Sequence, residues 1–86
     1  MVETIEAAAI IHGDVVYSVP RPGRHHNVCH VMVAAGLPTD AQRYQGFVTS
    51  TGRYVDRKEA AVIAQAAGQI RVKTGPADTL FSEDVW

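Results

Sequence analysis

The run from Gln45 to Ala60 constrains the fold of this chain more than any other stretch, because it reads as a tight hairpin delivered straight onto a capped helix. Aromatic and β-branched residues mark Tyr44–Thr49 as a strand. Ser50-Thr51-Gly52 turns it, and a short return strand, Arg53–Val55, runs antiparallel into Asp56. Asp56 followed three residues later by Glu59 resembles a capping box, although the best-defined version opens on Ser or Thr. The helix it starts carries Ala60, Ile63, Ala64 and Ala67 at helical spacing and stops at Gly68. Its core face is nearly all alanine, which lets a sheet, another helix or a symmetry mate approach closely.

The rest of the chain can be organised around that unit. Thr4–His12 is apolar, Gly13-Asp14 breaks it, and Val15–Val19 resumes, as in a β-hairpin. Pro20-Arg21-Pro22-Gly23 is a loop, since two prolines and a glycine deny the backbone donors and regular dihedrals. From Arg24 to Ala35, Val28, Val31, Met32 and Ala35 recur at the spacing of one helical face, and Gly36 ends it. Leu37–Arg43 reads as a polar connection, Gln69–Lys73 as one more strand, and Thr74–Trp86 as a tail that docks Leu80, Phe81, Val85 and Trp86. The expected class is α+β: a small antiparallel sheet, built from the N-terminal and central hairpins, packed with two α-helices. At 86 residues this is a single domain. A domain so small buries only about 60% of its unfolded surface, so partner subunits would help it.

Composition narrows the function. A formal net charge of −1 argues against a general nucleic-acid binder, so any basic site must be local. No apolar run approaches the roughly 18 residues of a membrane span, and the N-terminus lacks signal-peptide features, so a soluble, cytoplasmic protein is expected. The single cysteine, Cys29, reads as a small buried hydrophobe on a helix rather than a nucleophile.

Local basic groups cluster at both helix starts. Arg24, His25, His26 and Asn27 open the first helix, where Arg24 and a histidine would grip phosphate or ribose together with the free N–H groups of the helix. A solvated helix start is the competing reading. Arg53 and Arg57 flank the second helix start, with Lys58 beside them; cations there oppose the dipole, and an anionic ligand would give them a reason. The competing reading is an exposed charged turn with Arg57 or Lys58 paired to Glu59. Phe47 and Tyr54 would face each other across the short hairpin, one in the core and the other, Tyr54, partly exposed and free to stack on a base. Glu83, Asp84 and Trp86 would close over a site, or Trp86 would plug an apolar groove.

Metal and catalytic readings are weaker. His26 and His30 stand one helical turn apart with Cys29 between them, yet only His12 remains as a further ligand and His-Glu-x-x-His is absent. His30 therefore reads as half-buried and hydrogen-bonded, and no metal or cofactor is called for. Ser18, Ser50 and Ser82 lack a nucleophile elbow, and no P-loop or dinucleotide glycine pattern occurs. Binding without turnover fits better than catalysis.

Several of these segments carry a resemblance: Arg24-His25-His26, Gln45-Gly46-Phe47, Gly52 to Arg57 with Glu59-Ala60, Ala67-Gly68-Gln69 and the closing Leu80 to Trp86. Together they make the chain resemble small bacteriophage proteins, and among them the anti-Thoeris sponges of the first described type. Those proteins sequester cyclic ADP-ribose isomers made by bacterial TIR-domain enzymes, and some relatives also trap cyclic oligonucleotides. The Pro20-Arg21-Pro22 insertion is not shared. The resemblance implies a compact α+β protomer, a homo-oligomer that is a dimer or a larger assembly such as a hexamer, ligand sites at subunit interfaces, the host bacterial cytoplasm as location, and no catalysis. Combined with the chemistry above, it nominates Arg24, His25, His26, Phe47, Arg53, Tyr54 and Arg57 as ligand-binding residues. Two other classes stay open: a phosphodiesterase or lyase acting on the same signals through His25 and His26, and a protein-interaction module that docks on a host factor.

Overall fold

A computed structural model describes residues 2–38 and 44–86 of the chain. Among them the strands β1 (Ile5–His12), β2 (Val15–Pro20), β3 (Tyr44–Thr49) and β4 (Tyr54–Asp56) form one antiparallel sheet in the order β2-β1-β3-β4. Two helices, α1 (His25–Ala34) and α2 (Arg57–Ala66), pack against it, and a short helix, α3 (Ser82–Val85), closes the tail. The fold is α+β, with the sheet made from the two hairpins that the sequence announces. Residues 39–43, most of the expected polar connection, lie outside the described residues.

Both long helices end in the same way. Gly36 takes φ 84° and Gly68 takes φ 69°, a region closed to most side chains. Their N–H groups bond Val33 O and Gln65 O, while Leu37 and Gln69 reach back to Met32 O and Ala64 O. These are Schellman motifs, which satisfy the last carbonyls of a helix and turn the chain sharply.

The core has two halves on one face of the sheet. Ile5, Phe47 and Val55 meet Ala60, Ala61 and Ala64 of α2 with Leu80 and Val85 of the tail, and Ala8 and Ile10 meet Val28 and Met32 of α1. Trp86 touches both halves. It stands edge-on to Phe47 with ring centres 6.3 Å apart, and its indole N–H donates to Gly23 O at 2.7 Å. The tail is a plug, joining the halves, rather than a cover over a site.

Three expectations need correction. The buried stripe of α1 is His25, Val28 and Met32, while Val31 is 47% exposed. His30 is exposed rather than half-buried, and Cys29 is half-buried beside Val28 and Met32. Gln69–Lys73 is not a strand, for a reason visible at the sheet edge. Strand β2 stops at Pro20 opposite Ala7, which leaves the Ile5 backbone without a partner on that side. The Gln69 side-chain amide fills the gap, accepting from Ile5 N at 2.7 Å and donating to Ile5 O at 3.0 Å. Further on, Arg71 N and Val72 N donate to Asp84 O instead of to a strand.

Candidate functional site

Side-chain parity assigns the residues of the central hairpin to opposite faces of the sheet. Phe47 pairs with Val55 and Val48 with Tyr54, so Phe47 and Tyr54 do not face each other. Phe47 points into the core and is fully buried, while Tyr54, half-buried, lies on the face that no helix covers. Its ring crosses Gly46: a Cβ at that position would stand 2.7 Å from the Tyr54 hydroxyl oxygen and 2.1 Å from Val55 O. Only glycine lets the phenol lie flat on the strand and reach Tyr44 O, to which its hydroxyl donates at 2.9 Å. Burial, with the neighbouring Asp56 carboxylate, pushes the phenol above its ordinary pKa, so it keeps its proton.

An open groove of about 370 Å³ runs along this edge, lined by Tyr44, Gln45, Tyr54, Asp56, Arg57, Lys58 and Thr79. Tyr44 is 60% exposed. Arg57 lies at the inner wall, its guanidinium donating to Leu80 O at 2.7 Å and Gln45 Oε1 at 2.6 Å and stacking 4.7 Å from the Phe81 ring centre. Burial lowers its pKa from the ordinary value, yet a guanidinium stays charged in a protein. Lys58 is exposed, and its ammonium has no hydrogen bond or ion pair to another described residue. Asp56 caps α2 by accepting from Glu59 N at 2.8 Å. The groove thus joins two phenol rings, one free cation and one half-buried cation.

The other nominated residues lie elsewhere. Arg24 caps α1, with Asn27 Oδ1 accepting from its backbone N–H at 2.9 Å. Its guanidinium donates to the Trp86 main-chain oxygen and stands 3.5 Å from Glu83. His25 is buried, donates its Nε2–H to Gly46 O at 2.7 Å and stands edge-on to Phe47 with ring centres 5.0 Å apart. Burial pulls its pKa down to about 4, outweighing that hydrogen bond, so the ring is neutral at pH 7. His26 is exposed at the first turn of α1.

Arg53 belongs to a surface cluster. It bonds Glu3 at 2.8 and 2.9 Å and Glu59 at 2.7 Å, and Glu3 also accepts from Thr49 and Thr51. The Arg53 guanidinium, then the two threonine hydroxyls, hold the Glu3 carboxyl down at about 2 instead of 4.5. Arg53→Ala is expected to return Glu3 toward its ordinary value in an NMR titration of the carboxyl carbon. An unmoved titration would mean that the threonine hydroxyls alone hold the carboxylate.

Of the seven nominated residues, then, the groove brings together Tyr54 and Arg57. Sequence reasoning passed over Tyr44, and it noted Lys58 among the cations at the start of α2 without nominating it as a ligand contact. A period-2 reading of β3 puts Tyr44 on the same face as Gly46 and Val48, which is the signal that would have found it. Among the described residues no helix is long and apolar enough to cross a membrane. A family model described as phage T4 y16D protein matches residues 4–86. No curated protein and no solved structure matches the chain.

Proposed function

This chain belongs to the phage T4 y16D protein family, and we propose that it binds and sequesters a cyclic nucleotide immune signal without cleaving it, blocking host defence. The observation that carries the reading is the groove in which Tyr44 and Tyr54 adjoin Lys58 and Arg57. An adenine ring needs an aromatic face and a phosphate needs a cation, and here the two stand side by side. Its volume, about 370 Å³, falls within the range of small-molecule sites. Cyclic ADP-ribose isomers are the first ligand class, with cyclic oligonucleotides the second. The open side of the groove and the uncovered sheet face beside it, where Val16 is 40% exposed, suit closure by a second copy of the chain in the host cytoplasm.

Sequestration rather than turnover is favoured by the fate of the polar groups. His25, the histidine nominated for acid–base work with His26, is tied to Gly46 O on the core side of the sheet. Isothermal titration with cyclic ADP-ribose isomers and cyclic di- and trinucleotides, followed by chromatography of ligand released on heating, tests the proposal. Binding with intact ligand is expected. Altered ligand would make the protein an enzyme, and silence across the panel would leave a protein partner as its target. Lys58→Ala should weaken binding by about 1.5–3 kcal/mol if the ammonium meets a phosphate, and Tyr44→Ala by about 1–3 kcal/mol if the ring carries a base.

A further inference from the structure

Helix α1 presents two imidazoles to solvent that the groove does not use. His26 and His30 are four residues apart, so they lie on one face a single turn from each other, and both are exposed. Their ring centres are 6.1 Å apart with the planes at 78°. Two imidazoles that share one metal through nitrogens roughly 2.0–2.1 Å away stand about 4.5–5 Å apart, centre to centre, an ångström or so closer than here. A small side-chain rotation therefore closes the pair on an ion, with no change in the backbone.

We infer that His26 and His30 form a two-nitrogen chelate for a divalent transition metal, with copper(II) held more tightly than nickel or zinc. Imidazole suits these ions, and affinity for a given nitrogen site rises to copper and falls again at zinc. Cys29 lies between the two in sequence but packs beside Val28 and Met32, so the donor set is nitrogen only. Among the described residues no group of three or more histidines, cysteines and carboxylates is placed to hold a metal. Water fills the other coordination positions, and the ion sits at the surface, open to a further ligand. The positive end of the α1 dipole works against a cation at His26, which keeps the affinity below that of a pair in mid-helix.

The test is a titration of the intact protein with copper(II), nickel(II) and zinc(II) chlorides, followed by calorimetry and by thermal melting. One equivalent is expected to bind, and the melting temperature is expected to rise with metal concentration, because the folded helix binds the ion and the unfolded chain holds its ligands apart. His26→Ala and His30→Ala should each weaken binding roughly tenfold or more, since the second imidazole acts as an intramolecular partner. His12→Ala, an exposed histidine at the end of β1, should leave it unchanged. Both α1 positions are exposed, so circular dichroism of the variants should match the parent. Equal affinity in the parent and the two α1 variants, or a loss shared by His12→Ala, would overturn the inference, as would the absence of binding.

Discussion

Replacing Asp84 by alanine is expected to destabilise the fold by about 3 kcal/mol or more, a large share of the roughly 5–15 kcal/mol that holds an ordinary domain together. Asp84 is a fully buried carboxylate, and each of its oxygens is used twice. Oδ1 accepts from the Thr74 N–H at 2.9 Å and the Thr74 hydroxyl at 2.7 Å. Oδ2 accepts from Lys73 Nζ and from the Phe81 N–H, both at 2.9 Å. Its backbone oxygen takes Arg71 N as well. One side chain thus pins Lys73, Thr74 and Phe81 around α3 and helps seat Leu80 and Val85 in the core. Removing it orphans two backbone donors and takes the carboxylate from a partly buried ammonium that keeps only a carbonyl bond, to Thr79 O, and donors left unpaired cost far more than their bonds return when made. Urea denaturation reads the effect. Asp78→Asn, at an exposed position, should stay within about 0.5 kcal/mol; an Asp84→Ala midpoint equally close to the parent would refute the clasp.

The same carboxylate gives the pH dependence a definite direction. Burial pushes the Asp84 pKa up, but the Phe81 N–H, Lys73 and Thr74 outweigh it and hold the group at about 2 instead of 3.8. A folded pKa below the unfolded one means that the unfolded chain binds the proton first, so this stabilisation is complete above pH 3.8 and drains away as pH falls toward 2. Glu3 titrates over an overlapping window. Subtracting the Asp84→Asn stability curve from that of the parent therefore isolates the Asp84 contribution, which should shrink with acidity across that window.

What the sequence made legible was local. Hairpin turns and helix ends depend on residues a few positions apart, so Gly36, Gly68 and the Asp56 cap announced themselves. Partner choice did not. Arg53 is bound by Glu3, Arg24 by Trp86 and Arg57 by Leu80, and each partner stands far along the chain, beyond the reach of spacing rules. A run of clustered cations therefore read as one pocket when most of its charge was already spoken for. The α1 stripe failed for a different reason: scored as polar, His25 was left off the buried face that it in fact joins with Val28 and Met32. A neutral imidazole with one carbonyl partner behaves there as a flat hydrophobe.

Phe47→Ala is the second large effect expected, at about 3–5 kcal/mol, because the ring is fully buried and its loss leaves a cavity that the sheet cannot collapse to fill. The consequence spreads through two aromatic contacts. His25 and Trp86 both stand edge-on to Phe47, so its removal loosens α1 and the tail together. Thermal melting would register roughly 4–8 °C for each kcal/mol in a domain of this size. Tyr54→Ala separates the two roles once assigned to this pair of rings. Tyr54 covers Gly46 on the far side of the sheet, so its loss should leave the two aromatic contacts in place and strip the groove of one wall. Phe47→Leu, which keeps much of the volume but gives up both edge-on contacts, should cost less than Phe47→Ala and bind any groove ligand as the parent does. If Phe47→Leu folded normally yet lost the ligand that Tyr54→Ala still held, the stacking surface would lie on the core side of the sheet, and the groove would have to be abandoned as the site.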